Sequence, residues 1–99
     1  MVIDKDGIIT ATYPYGTIQT IRWDRIERIE VHTNDSEPWG ADIWWVLKAA
    51  DCTCSYPQGA TGEEVLIPKY QSLPGFDNEE LIKAMGSTSN REFICWQKI

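Results

Sequence analysis

The sequence has no apolar run long enough to cross a membrane. Its longest, Ile43 to Leu47, is a fraction of the about 20 residues that a spanning helix needs. Positive charge is also scarce: 9 Lys and Arg stand against 15 Asp and Glu, for a net charge of −6. Binding through phosphates relies on Lys and Arg displacing counterions, so neither nucleic acid nor an anionic membrane surface is expected as a partner. Cysteine is sparse and odd in number, and Cys52, Cys54 and Cys95 cannot all pair within one chain. The opening MVIDKDG lacks a basic stretch followed by an apolar one, so no secretion signal is expected. Together these features predict reduced thiols in a cytoplasmic protein.

Reactive motifs are missing as well. His32 is the single histidine, so any imidazole acid–base scheme must pass through it. Asp35, Glu37 and Asp42 lie close to it in sequence, but no Ser or Cys sits in a nucleophile elbow of the G-x-S-x-G kind. Cys52-x-Cys54 has one residue between its thiols, whereas zinc knuckles use two to four. In a strand these two thiols are about 6.5 Å apart along the chain, and small buried hydrophobes fit the pattern better. The expectation is a non-enzyme with no catalytic residue, no metal and no cofactor.

Aromatic side chains and alternation are what the sequence does have. Five Trp, four Tyr and two Phe give a chain of 99 residues ample material for one core, since each buries roughly 150–250 Å². A single domain over 1–99 follows. The run Thr20 to Thr33 (TIRWDRIERIEVHT) is the clearest local signal. Ile29, Val31 and Thr33 fall on one side of an extended chain and Glu30 and His32 on the other, the pattern of a half-buried strand. Asp4-Lys5-Asp6-Gly7 predicts a hairpin turn between Val2-Ile3 and Ile8-Ile9, and Tyr13-Pro14-Tyr15-Gly16 a second turn. Thr17 to Trp23 reads as a strand, Asp24 to Ile26 as a corner and Asn34 to Gly40 as a loop. Asp42 to Ala50 is apolar on both sides, with Ile43, Trp45 and Leu47 opposed to Trp44 and Val46. Such a strand is covered on both faces or presents one as a binding surface. Cys52 to Tyr56 reads as its hairpin partner.

The second half turns helical. Thr61-x-x-Glu64 has capping-box spacing, with Pro68 expected to kink or restart the helix that follows. Asp77 and Glu80 predict a second helix start, and Gly86 its end. Arg91 to Lys98 reads as a strand internal to a sheet, with Phe93 and Cys95 on one face and Ile94 and Trp96 on the other. Hairpin-linked strands followed by segregated helices predict an α+β fold: an antiparallel, strongly bent sheet or partly open barrel of about six or seven strands. Two short helices lie near the C-terminus, and a strand closes the chain.

The stretch Ile21-x-Trp23-Asp24-x-Ile26-x-x-Ile29-x-Val31 resembles the strand–corner–strand segment of bacterial pleckstrin-homology-like (PH-like) domains. Asp6-Gly7-Ile8 and Gly16-Thr17-Ile18 fit the same pattern. The whole chain also resembles a family of small uncharacterised bacterial proteins. The matching motifs are Trp45-Val46-Leu47, Pro57-Gln58-Gly59, Leu73-Pro74-Gly75-Phe76-Asp77 and Phe93-x-Cys95-Trp96. An ordinary PH-like domain ends on its helix, whereas this chain continues into a strand. The resemblance implies shape, because that superfold hosts many unrelated functions.

Function is therefore expected at a surface. Adjacent tryptophans on a strand point in opposite directions, so one of Trp44 and Trp45 needs a second core or a partner. The expected site is a protein-binding surface formed by Glu30, His32, Asp35, Glu37, Trp39 and Trp44. Its partner would be a basic protein, as for an immunity or antitoxin-like module, or a second copy in a homodimer. The alternative is a small-molecule-binding domain with an aromatic pocket between the sheet and the helix at Asp77–Met85.

Overall fold

Asp6 and Gly7 both take positive φ, 55° and 74°, the geometry of the two-residue turn that suits the twist of a β-hairpin. They join strands β1 (Val2–Lys5) and β2 (Ile8–Thr12). The computed structural model describes residues 1–13, 16–34, 42–86 and 90–98, with Asn34 and Asp42 described by backbone alone. Strand β3 (Ile18–Arg22) completes a three-stranded antiparallel sheet in the order β1-β2-β3. A 3₁₀ turn at Trp23–Arg25 then redirects the chain at the expected corner.

Beyond that corner, β4 (Arg28–Asn34), β5 (Asp42–Lys48) and β6 (Thr53–Pro57) form a meander, and β7 (Arg91–Gln97) pairs with the free side of β4. The four-stranded sheet is antiparallel in the order β6-β5-β4-β7. Helices α1 (Glu63–Gln71) and α2 (Asn78–Met85) lie between β6 and β7 in the chain. The fold is α+β in two antiparallel sheets, and neither closes into a barrel. Among the described residues no helix is long and apolar enough to cross a membrane.

One apolar cluster joins all the layers. It takes Val2, Ile9 and Ile21 from the first sheet, Ile29, Val31, Trp45, Leu47, Tyr56 and Phe93 from the second, and Leu66, Tyr70, Leu81 and Ala84 from the helices. Tyr70 sits at its centre, with ring centroids 5.1 Å from Trp45 and 5.6 Å from Trp23, and its hydroxyl 2.8 Å from that of Tyr56. Burial drives both phenol pKa values upward, so the pair stays neutral.

Three local expectations need correction. First, α1 begins at Glu63 after Gly62, and Thr61 does not cap it. The reason is tertiary: Val2 N–H donates to Thr61 O at 2.8 Å, and Gly62, at φ +96°, lies so close to β1 that a Cβ there would be 2.0 Å from Val2 O. The reach-back belongs to Glu63, whose carboxylate accepts from Gly59 N–H. Second, of the kink or restart expected at Pro68, the restart does not occur, and α1 runs on to Gln71. Third, β7 is an edge strand, and its two faces do not alternate throughout. Ile94 opposes Glu30 while Trp96 opposes Ile29, so Cys95 is an extra residue in the ladder. Such a bulge turns the following side chain over. Trp96 accordingly packs against the core and donates its indole N–H to Pro74 O at 2.9 Å. The start of α2 is as expected, with the Asp77 carboxylate accepting from Glu80 N–H at 3.1 Å and Gly86 at the C-cap.

Gly62→Ala should cost about 3 kcal/mol or more, because it meets backbone and not only an unfavourable φ. Gly59→Ala, at φ +91° with open space around it, should cost only about 1 kcal/mol, as should Asp77→Ala through loss of its cap. Urea unfolding midpoints rank the three. Equal losses at Gly62 and Gly59 would contradict the close approach of β1.

Candidate binding face of the four-stranded sheet

Alternation along β4 sends Ile29 and Val31 into the core and Arg28, Glu30 and His32 to the opposite face. Strand register sets their neighbours. His32 lies between Glu92 of β7 and Trp44 of β5, with Pro57 of β6 beyond. Glu30 lies between Ile94 and Val46, followed by Ser55, and Arg28 between Gln97 and Lys48, followed by Thr53. The buried side chains of both helices belong to the core cluster on the other side, so no described helix covers this outer face.

Glu30 is nonetheless only 2% exposed, although it was expected at the surface. Its position explains this: apolar side chains flank it across the strands, and Arg28 and His32 flank it along β4. Its two oxygens divide their partners. Oε2 accepts from Arg28 at 3.2 Å and pairs with Lys48 Nζ at 3.3 Å, while Oε1 is 2.7 Å from His32 Nε2. An ionised carboxylate only accepts, so Nε2 carries the proton in that hydrogen bond. Desolvation pushes the Glu30 pKa up. The combined hydrogen bonds from His32, Arg28 and Lys48 outweigh it and hold the carboxyl below its ordinary value. Because Arg28 and Lys48 each remain 38% exposed, the charge is screened and only partly removed from water.

The upper part of the face is concave. A depression of about 720 Å³ is lined by His32, Trp44, Val46, Ser55, Arg91 and Glu92, together with Thr33 and Asn90. His32 is 29% exposed within it, and Glu92 Oε1 approaches His32 Nε2 to 3.6 Å. Ile94, at 43% exposure, stands beside it.

Of the six residues expected at the site, Glu30, His32 and Trp44 share this face, with His32 and Trp44 directly opposed. Asp35, Glu37 and Trp39 lie outside the described residues. Trp44 and Trp45 do diverge, Trp45 being fully buried and Trp44 half-buried on the outer face. Sequence reasoning missed Lys48, Glu92, Arg91 and Ile94, which reach the site through strand pairing. The thiols do not converge. Cys54 and Cys95 lie on the two edge strands and Cys52 is exposed, and burial raises the pKa of Cys54 to about 11 and of Cys95 to about 12. Trp45 and Tyr56 are packed in the core against Tyr70 of α1.

No protein-family model, no curated protein and no solved structure matches this chain.

A lowered carboxyl pKa in the folded state means that the unfolded state takes up the proton first. The stabilisation from Glu30 is therefore present above the unfolded carboxyl value, about 4.3, and is lost as pH falls through the folded value. Glu30→Gln should lower stability by about 1–3 kcal/mol at pH 7, and the gap to wild type should close in acid. Urea titrations at neutral and acidic pH test this. A gap that stays constant with pH would contradict an ionised Glu30.

Proposed function

We propose that this chain is a non-enzymatic protein-binding module that docks through the outer face of the four-stranded sheet, and that a second copy of the chain is its occupant. The observation that carries the reading is the apolar strip of half-buried Trp44, buried Val46 and exposed Ile94 beside a concavity, on a sheet whose described helices pack on the other side. A strand added at either edge meets groups already in use. Ser55 N–H on β6 donates to Gln19 Oε1 at 2.9 Å and Ser55 O accepts from Tyr13 OH, while Cys95 O on β7 accepts from Asp77 N–H at 2.7 Å. Docking by face suits this geometry better than strand addition.

The charge of the outer face does not call for a strongly basic partner. Glu30 is committed to Arg28, Lys48 and His32, which leaves Glu92 as the exposed carboxylate of the face among the described residues. Four strands of up to seven residues offer a face of roughly 19 by 23 Å, or about 400 Å². A standard interface uses about 800 Å² per partner, so a reversible, concentration-dependent dimer is the expected form.

The outer face of the first sheet also exposes Ile3, Ile8 and Ile18, but these are interspersed with Thr10, Thr12 and Thr20. It supplies no tryptophan, the residue type that most often anchors an interface. The sequence resemblance to PH-like domains bears on shape and names no partner. Three free thiols, one of them exposed, support a cytoplasmic setting.

Light scattering across a concentration series should show a monomer–dimer equilibrium. Ile94→Lys, at an already exposed position, should weaken it by about tenfold or more. A monomer at every concentration, or a dimer indifferent to Ile94→Lys and Trp44→Ala, would contradict the proposal.

A further inference from the structure

The sequence points to cysteines when metal is considered, yet the fold gathers a different set of donors. We propose that Glu30, His32 and Glu92 form a three-ligand site for one divalent transition-metal ion of the zinc or cobalt type, opening into the concavity beside Trp44. The three donor atoms lie within 4.8 Å of one another. Ligands held about 2.0–2.2 Å from a tetrahedral ion are roughly 3.2–3.6 Å apart. His32 Nε2 is 2.7 Å from Glu30 Oε1 and 3.6 Å from Glu92 Oε1, so small movements suffice. The residue that must move most freely is Glu92, which is 68% exposed on the rim.

Glu30 is prepared for this role. Arg28 and Lys48 hold Oε2 and thereby fix Oε1 toward His32, as outer-sphere partners orient a ligating carboxylate. His32 projects from the middle of a paired strand, which limits its ring to the space between Glu30 and Glu92. Binding places the metal on Nε2 and the ring proton on Nδ1, so a neutral His32 ligates with no net change in its own proton count. One imidazole and two carboxylates suit a borderline divalent ion, and three protein ligands leave a coordination position facing the depression.

Charge sets the strength. With neutral His32, the cations Arg28 and Lys48 balance Glu30 and Glu92, so an added ion is not fully neutralised. The site is therefore weaker than a closed structural zinc centre. It stands independently of the dimer, since its ligands belong to one chain.

Co²⁺ titrated into the untagged full chain tests the proposal through its visible absorption. The expected result is one ion per chain without a thiolate charge-transfer band, unchanged by Cys52→Ser. Affinity should fall by about tenfold or more in both His32→Gln and Glu92→Gln. Glu92→Gln alters an exposed side chain and so reads the site even if His32→Gln unfolds. No Co²⁺ spectrum, unchanged affinity in Glu92→Gln or in a folded His32→Gln, or loss of binding in Cys52→Ser would overturn the site.

Discussion

One carboxylate organises the outer face of the four-stranded sheet in this protein. Glu30 is buried at the centre of the four-stranded sheet, on the side away from the core, and holds Arg28, Lys48 and His32 around it. A buried charge is tolerated only when it is paired and hydrogen-bonded, and here three donors from two adjacent strands meet that requirement. The outer face consequently has a polar centre within an apolar strip. Without those partners, Glu30 would have to take up a proton or swing out of the sheet, and His32 would lose the contact that sets its ring. The depression beside Trp44 depends on the same ring, since His32 forms part of its wall.

The opposite side of the sheet follows ordinary packing. Tyr70 reaches from α1 into a nest of Trp23, Trp45 and Tyr56, so most of the aromatic content is committed to the core. Trp45 carries the one departure found among the described residues: its indole N–H is buried without an acceptor, an arrangement that costs about 1–3 kcal/mol. The aromatic packing around it holds that donor in place. Trp44, one residue earlier, points the other way and is left for the outer face.

Much of this was readable because strands encode their faces locally. Period-two alternation separated Ile29 and Val31 from Glu30 and His32, and Trp44 from Trp45, without knowledge of any partner strand. The Asp6-Gly7 turn and the Asp77 cap were equally local. What escaped was set by pairing between distant segments. Lys48 and Glu92 reach Glu30 and His32 only through the β4–β5 and β4–β7 registers, and nothing near either residue in sequence signals it. The bulge at Cys95 inverted the expected orientation of Trp96, and the approach of β1 made Gly62 rather than Thr61 the residue before α1. Glu30 was misjudged for the same reason. Its burial comes from neighbours on three strands, while its own chemistry reads as surface.

The proposed contact between copies of this chain is the outer face of the four-stranded sheet. The most direct measurement is a dilution series of two-dimensional NMR spectra, following the Trp44 indole and the amides of β4, β5 and β7. Concentration-dependent shifts confined to Trp44, Val46, Ile94 and their neighbours are the result expected of that contact. Spectra unchanged on dilution, or shifts that map to the exposed helix residues Val65 and Ile82 instead, would contradict it.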